Sequence, residues 1–549
     1  MKNNKIVLTL ILVLTIGIVG LTIAYFANSS TINNIFNTNP YGTTVTEEFV
    51  SPDNWLPGTS TDKSLTVTNT GQVDEAVRIS YIESWTSRSA KNNDEEGDLP
   101  LSQNGNTAAL IHFTNTDDWT TVTENGTIYR YYNYKLAPSA TTSELLDYVT
   151  FNPAITNSSN CTTTESNGTK TITCNSTGNG YDDATYKLTF TIETVQYNKY
   201  KEAWGTNVNI ASMKPMNARE LALKSNPVSV TNYTDGNVHE MYTFNHEATE
   251  QTPALTDYRY IGNNPYNYVY FNCDDLNNQN SETCEVWRII GVFDVERPDP
   301  NDNTKTITER RMKLVSNSGF GEWMEYDSES DENVYTGNDW PKSDLNIFLN
   351  DDYYNKSGDA VSYGLKSTSR VMIDDAKYYL GAIDWDQQYG YGEYFGSVDD
   401  FYNAERGSNV FDSSECYSEC ISNHYRNCNT RCEVREKSWT GKIAFMYVSD
   451  VFMIYANGIS TIMYNNPTKY DGENVRKNWL YTEKATWLMP NYAEDETVFA
   501  HRSDGVLRYQ KWGSSGINFY VRPTLYLSSS VKIIDGDGSI NNPYKLSNS

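Results

Sequence analysis

The sequence predicts a mainly β protein with an N-terminal antiparallel β-sandwich and a C-terminal α+β domain. Three observations support this fold class. The chain has 549 residues, too many for a single hydrophobic core. Aromatic residues make up 13% of it, including 42 Tyr and 12 Trp, and such residues favour strands. Short runs rich in β-branched and aromatic residues alternate with turn clusters of Gly, Asn, Asp and Pro, as in antiparallel sandwiches.

The first 24 residues are typical of a signal peptide. Two lysines precede the uncharged apolar run Ile6–Ala24. The small residues Thr22 and Ala24 predict cleavage between Ala24 and Tyr25. The run is also long enough to cross a bilayer, so an uncleaved membrane anchor is the alternative. We expect the chain to be exported to the cell surface, the medium or a biofilm matrix.

Residues 25–204 are predicted to form the β-sandwich. The candidate strands are Ser64–Thr70, Val77–Trp85, Ile128–Leu136 and Tyr186–Val195. In the last of these, Leu188, Phe190 and Ile192 alternate with polar residues. This period of two predicts a strand with one buried face and one solvated face.

Several segments of this domain follow the order found in a known family. They are Ala24–Asn28 after the signal segment, Leu56–Gly58, Val67–Gly71 and Phe190–Tyr197. Through them, residues 1–204 resemble the TasA/camelysin group, and more closely its BsaA-type biofilm-matrix members, which are exported with a SipW-type signal peptidase. The resemblance implies a jelly-roll-like sandwich and a role in an extracellular matrix or fibre.

The same resemblance bears on self-association. Fibre-forming members of the group lend an amino-terminal strand to the next subunit. In this chain, cleavage would free Tyr25–Thr46 for that purpose. The segment lacks clean alternation, which favours a leader or the first strand of its own domain.

The group is sometimes labelled a metallopeptidase family, but the residues do not support that activity. A zinc peptidase needs paired histidines with a glutamate, or at least three converging ligands. Residues 25–204 contain one histidine, His112. The sequence therefore predicts no catalytic residue, no metal and no cofactor.

Residues 205–240 are predicted to be a linker, and residues 241–549 a second domain. Met216–Lys224 is expected to form a short helix in the linker, with Asn217 as its N-cap. In the second domain, the segments Val286–Phe293, Met312–Ser316, Ser343–Asn350 and Val521–Leu527 recur in a layout that resembles an uncharacterised domain of Firmicute surface proteins. That domain is distantly similar to the C-type-lectin or sulfatase-modifying fold, which implies a lectin-like architecture.

Eight cysteines in an exported chain predict disulfides. The candidates are Cys161 and Cys174 in the first domain, Cys273 and Cys284 in the second, and the group Cys416, Cys420, Cys428 and Cys432, and their connectivity is left open. Two short antiparallel helices would allow nested bridges from Cys416 to Cys432 and from Cys420 to Cys428. A zinc site that includes His424 is the alternative for this last group.

Charge and aromatic content limit the partners. The net charge of −27 repels nucleic acids and anionic lipids, so nucleic acid is not expected to bind, and the membrane is contacted only through an uncleaved signal segment. The expected partners are the protein itself and polysaccharide. Candidate residues for stacking on sugar rings are Trp323, Trp340, Trp487 and Trp512.

These observations predict a non-enzymatic, secreted surface or biofilm-matrix protein with a C-terminal adhesive domain. The alternative is an extracellular hydrolase that acts on glycan or peptide. Glycoside hydrolysis requires a pair of carboxylates, and the 70 acidic residues of the chain offer many candidate pairs.

Overall fold

A computed structural model describes most of the chain outside its first 41 residues. The described residues are 42–49, 51–52, 55–87, 98–155, 159–166, 169–176, 181, 184–227, 240–248, 253–324, 340–380, 396–406, 438–454, 461–462, 478–491, 497–501, 507–511 and 519–548. The chain divides into two compact units. Unit 1 comprises Met1–Tyr132 and Leu136–Val208, and unit 2 comprises Asn133–Lys135 and Asn209–Ser549. The structure is mainly β, as predicted.

Unit 1 is built from antiparallel strands and very short helices. Its strands are β1 (Thr43–Phe49), β2 (Ser60–Asn69), β3 (Glu75–Ser87), β4 (Asp98–Leu99), β5 (Ser102–Gln103), β6 (Asn106–Thr107), β7 (Ala109–Phe113), β8 (Trp119–Glu124), β9 (Thr127–Tyr132), β10 (Leu146–Phe151), β11 (Ser159–Ser166), β12 (Thr169–Ser176) and β13 (Ala184–Gln196). Its helical turns are Thr116–Asp118, Tyr197–Lys199 and Tyr200–Trp204.

Two sheets face each other in unit 1. One has the order β1-β2-β10-β7, and the other has the order β13-β3-β9-β8. Side chains from both sheets meet between them: the Trp85 ring of β3 lies 5.2 Å from the Phe151 ring of β10, and the Tyr81 ring of β3 lies 5.7 Å from that of Phe113 on β7. Because alternate residues of each strand point inward, these apolar rings close a core. The predicted antiparallel sandwich is therefore confirmed.

Two strands of this sandwich, β1 and β13, can be compared with the predictions made for their sequences. Strand β1 pairs along its whole length with β2 of the same chain, so residues 43–49 form the first strand of their own domain. Residues 25–41 lie outside the described part of the chain. In β13, Lys187, Thr189 and Thr191 are exposed while Leu188, Phe190 and Ile192 are half-buried, as the alternation predicted.

Unit 2 holds longer strands and more helical turns. Its strands are β14 (Asn226–Pro227), β15 (Met241–His246), β16 (Leu255–Tyr260), β17 (Tyr268–Phe271), β18 (Glu285–Asp299), β19 (Asp302–Ser316), β20 (Phe320–Met324), β21 (Ala376–Tyr379), β22 (Gly396–Ser397), β23 (Ser438–Gly441), β24 (Ile443–Ala444), β25 (Met446–Tyr447), β26 (Thr461–Ile462), β27 (Thr486–Asn491), β28 (Thr497–His501), β29 (Leu507–Lys511), β30 (Phe519–Val521), β31 (Thr524–Tyr526), β32 (Val531–Asp535) and β33 (Lys545–Asn548). The α-helices are Ala218–Ala222, Asp344–Ile347, Ser367–Arg370, Val398–Ala404 and Val448–Phe452; Trp340–Lys342 and Gly358–Ala360 are 3₁₀-helical, and Phe348–Tyr353 is a π-helix.

The largest sheet of unit 2 has the order β14-β15-β16-β18-β19-β31-β24, with β17 also paired to β18. Its centre is the long hairpin of β18 and β19. The run Ile289–Phe293 within β18 is buried on both faces, which explains why it is apolar without alternation. A second sheet has the order β20-β30-β27-β28-β29. Strands β32 and β33 pair with each other as an antiparallel hairpin.

The segment predicted to be a linker is part of unit 2 instead. From Asn209 onward the chain belongs to that unit. The short helix is present, and Asn217 caps it by accepting the Glu220 N–H at 3.0 Å. However, Met216 and Leu221 are buried in the core of unit 2. The prediction missed this because a five-residue helix carries too little periodicity to show that one face is buried.

Candidate functional site

A group of charged side chains lies in the interior of unit 2. We call it the charged cluster. Its members are Asp257 and Arg259 on β16, Lys313 on β19, Asp450 in the helix Val448–Phe452, and Glu405 and Arg406 directly after the helix Val398–Ala404. Buried charges are costly unless they are paired, so their partners decide what the cluster can do.

Asp450 joins two strands of the sheet. Its Oδ1 accepts a hydrogen bond from Arg259 Nη1 at 3.1 Å, and its Oδ2 accepts one from Lys313 Nζ. The Tyr447 N–H also donates to Oδ2, at 2.9 Å, which caps the helix that carries Asp450. None of the three charged side chains is more than 1% exposed. This carboxylate is therefore held by two cations and a helix N-terminus.

Asp257 forms the second acidic centre of the cluster. Its Oδ2 lies 2.8 Å from Arg259 Nη2 and 3.6 Å from Arg406 Nη2. The same oxygen lies 3.7 Å from Nε2 of His246, whose ring stacks on Tyr402 at 3.6 Å between centroids. Arg259 thus bridges both acids, and one continuous network links β15, β16, β19 and the two helices.

The two aspartates remain ionised. Burial by itself raises the pKa of Asp257, but the charges of Arg259 and Arg406 outweigh it and hold the pKa below its usual value. Burial likewise opposes ionisation of Asp450, and Lys313 and Arg259 lower its pKa overall. Burial lowers the pKa of Lys313, and although Asp450 opposes this effect, the charges of Arg406 and Arg259 add to it, so the pKa stays below its usual value.

Glu405 differs from both aspartates. Burial raises its pKa to about 8, and the neighbouring charge of Asp450 acts in the same direction. Its Oε1 accepts the Ser449 N–H at 3.2 Å, while among the described residues no donor reaches Oε2. The cluster therefore contains one neutral carboxylic acid at neutral pH, next to an ion pair.

The network gives a testable dependence of stability on pH through His246. Burial lowers its pKa from 6.5 to about 4, with Arg259 and Arg406 assisting and Asp257 opposing. Between these two values the unfolded chain binds a proton that the folded chain does not. Stability is therefore fully present above pH 6.5 and falls as the pH drops towards 4. We expect a loss of about 2 kcal/mol over this window, after allowing for partial exposure of the ring.

Urea unfolding of the wild type and of His246→Gln at several pH values between 4 and 7 measures this loss. The variant should lose the part of the acid-induced destabilisation that comes from the imidazole. His112→Gln serves as the control, because that ring is half exposed and bonded to Asp147 at the surface. Parallel pH profiles for the wild type and His246→Gln would contradict the assignment.

Two of the candidate cysteines, Cys273 and Cys284, form a disulfide with each other. Cys161 and Cys174 face each other directly in the hairpin of β11 and β12. Directly opposed residues of antiparallel strands have Cα separations of about 4.5–5.5 Å, which a disulfide can span. That bridge stays a prediction, and Cys416, Cys420, Cys428 and Cys432 lie outside the described residues.

The prediction of sugar-stacking tryptophans was wrong for two of its four residues. Trp340 is 1% exposed and Trp487 is 0% exposed. Trp340 packs edge-on against Phe445, and Trp487 packs edge-on against Phe519. Both therefore fill the core and present no ring face to a sugar. The side chains of Trp323 and Trp512 are not among those described, and neither is the predicted cleavage site at Ala24 and Tyr25.

The charged cluster itself was not predicted, although the sequence contains a signal for it. Asp450 is the one charged residue in the otherwise uncharged, mainly apolar run Ile443–Ala456. A lone charge in a run that has no solvated face must be buried, and a buried charge requires a partner. Which charge pairs with which is decided only by the fold.

Comparison with known proteins places the chain in no family. No protein-family model matches it, and no characterised protein is significantly similar in sequence. In the described residues, no helix is long and apolar enough to span a membrane. The same residues include no group of three or more His, Cys, Asp or Glu side chains arranged to hold a metal ion.

Proposed function

We propose that the chain is an exported, non-enzymatic structural protein of the cell surface or a biofilm matrix, and that unit 2 is its ligand-binding part. The observation that carries the proposal is the disulfide between Cys273 and Cys284. Disulfides persist in oxidising compartments outside the cytoplasm, which agrees with the signal-like first 24 residues. The TasA/camelysin-like, BsaA-type character of residues 1–204 and the lectin-like character of unit 2 belong to this proposal.

Unit 1 supports the matrix role through its outer strand. Strand β1 hydrogen-bonds to β2 on one side, and in the described part of the chain no strand pairs with its other side. Six of its seven side chains are exposed, including Val45 and Phe49. An edge of this kind is a template for pairing with a strand of another chain. A second copy of the protein is the partner that we propose for it.

Unit 2 supports ligand binding through exposed rings other than the predicted tryptophans. Tyr266 is 40% exposed and Tyr363 is 38% exposed. The Tyr363 ring lies 5.4 Å from that of Phe320 and 6.4 Å from that of Tyr353, so packed neighbours hold it in place. A ring that is exposed but held in place suits stacking on a sugar, because little side-chain entropy is lost on binding.

The test is binding of the purified full chain to a panel of neutral and amino polysaccharides. We expect weak binding without turnover and with little dependence on salt, because stacking does not rely on charge. Tyr363→Ala should weaken binding several-fold. Val361→Ala, an exposed apolar neighbour without a ring, is the matched control. Cleavage of a glycan or of casein, lost on adding a chelator, would contradict the proposal and favour the hydrolase alternative.

A further inference from the structure

The neutral carboxyl of Glu405 lies near Asp450 but belongs to none of the ion pairs that Asp257 and Asp450 form with Arg259 and Lys313. Arg259 pairs with Asp257 and Asp450, and Lys313 pairs with Asp450. These three ion pairs do not require Glu405. Glu405 adds a buried acid whose Oε2 has no hydrogen-bond partner among the described residues. Buried polar atoms without a partner are rare in folded proteins and call for an explanation. A reaction between the side chains of Lys313 and Asp450, in which Glu405 takes part, provides such an explanation.

We propose that Lys313 and Asp450 are joined by an intramolecular amide bond, formed with the loss of one water molecule and assisted by Glu405. The bond would run from Lys313 Nζ to the side-chain carbon Cγ of Asp450. It is a covalent cross-link between strand β19 and the helix Val448–Phe452, across 137 residues of sequence. It goes beyond the proposed function, and neither depends on the other.

The first argument is position. Lys313 Nζ contacts Asp450 Oδ2, and the two side chains are 1% and 0% exposed. Both are held in place, Lys313 by its strand and Asp450 by the hydrogen bonds of its helix N-terminus. Fixing two reacting groups in contact replaces the encounter that amide formation requires in solution. Exclusion of bulk water also opposes hydrolysis of the product.

The second argument is the surroundings of the amine. Lys313 Nζ lies 4.5 Å from the centroid of the Tyr447 ring, 5.4 Å from that of Tyr526 and 5.8 Å from that of Phe293. Burial among rings disfavours the charged ammonium, and Arg259 and Arg406 repel it as well. These effects lower the pKa of the amine. Transfer of a proton from Nζ to Oδ2 within the ion pair then yields the neutral amine and the carboxylic acid that must react.

The third argument is the polarised carboxyl group of Asp450. Arg259 Nη1 donates to Oδ1 at 3.1 Å, and the Tyr447 N–H donates to Oδ2 at 2.9 Å. Both donors withdraw electrons from Cγ and make it more open to attack by the amine. When Nζ adds to Cγ, the negative charge that develops on Oδ1 faces the Arg259 guanidinium, as in an oxyanion hole.

The step is balanced without any further reactant. After the first proton has moved from Nζ to Oδ2, the nitrogen lone pair forms the C–N bond. The Glu405 carboxylic acid gives its proton to the Oδ2 hydroxyl, which leaves as water, and Glu405 takes back a proton from the nitrogen. The ammonium and the carboxylate thereby become an amide and water, and Glu405 ends in its starting state.

The experiment is peptide mapping of the purified full chain by mass spectrometry after digestion with trypsin. We expect a branched peptide in which the segments containing Lys313 and Asp450 are joined and are together one water molecule lighter than their sum. Trypsin should fail to cleave after Lys313. Lys377 is the internal control: its Nζ lies 2.8 Å from Glu296 Oε2 in a solvent-accessible pair, so it should be cleaved normally.

The variant Glu405→Gln tests the part played by the acid. Glutamine keeps the size of the side chain but cannot relay a proton, so the branched peptide should fall at least tenfold while Lys313 becomes cleavable. Equal amounts of branched peptide in both proteins would overturn the role of Glu405. Complete cleavage after Lys313 in the wild type, with both peptides at their full mass, would overturn the proposal and leave an ion pair. The wild-type result decides the bond even if the variant does not fold.

Discussion

Asp257→Ala is expected to destabilise unit 2 by about 3–5 kcal/mol, because it leaves two buried cations without a shared carboxylate. Asp257 is almost fully buried and lies 2.8 Å from Arg259 Nη2 and 3.6 Å from Arg406 Nη2. Removing one member of a buried ionic network costs more than the net contribution of the network, since the remaining charges stay desolvated. Urea unfolding of the full chain at pH 7 measures the change.

The matched control is Asp294→Ala on β18. Asp294 pairs with Arg310 at 2.9 Å, and both side chains are about 30% exposed. Solvent screens such a pair, so we expect a loss of under about 1 kcal/mol. Losses of similar size for the two variants would show that the charged cluster is accessible to water, contrary to its burial.

Gly291→Ala is expected to cost about 3 kcal/mol or more, for a different reason. Gly291 is paired with Arg259 of the neighbouring strand β16, at a register shift of β18. A Cβ atom at this position would lie 2.1 Å from the Tyr258 carbonyl oxygen and 3.1 Å from the Arg259 Cα. Backbone atoms cannot rotate away from a clash as a side chain can, so strand β16 would have to shift, and Arg259 would shift with it. The midpoint of thermal or urea unfolding measures the cost.

Gly42→Ala in unit 1 is the control for that substitution. Its Cβ would meet the Thr70 Oγ1 at 3.0 Å, and a hydroxyl on a rotatable side chain can move. We expect a change within about 0.5 kcal/mol. If Gly291→Ala were equally mild, the close packing of β16 on β18 would be refuted.

Strand positions were predictable where local pattern and burial agree. The alternation of Leu188, Phe190 and Ile192 places one face of β13 inward whatever the rest of the chain does. Local pattern was insufficient for Met216–Lys224, where the helix was identified but its burial was not.

The tryptophans show the limit of composition as a guide to function. A high aromatic content predicts rings with a polar edge, but it does not say which rings face solvent. Trp340 and Trp487 are in the core, whereas Tyr266 and Tyr363 are exposed. The difference depends on which sheet or helix packs over each ring, and that information is spread over distant segments.

The sequence by itself determined the mainly β class and identified Cys273 and Cys284 as candidate disulfide cysteines, because periodicity and cysteine content are properties of local sequence. Only the tertiary structure decided the charged cluster. Arg259 and Asp450 are 191 residues apart in sequence, and Lys313 and Asp450 are 137 apart. A buried charge is tolerated only where folding brings a partner to it, so these residues acquire their roles from contacts that no local pattern encodes.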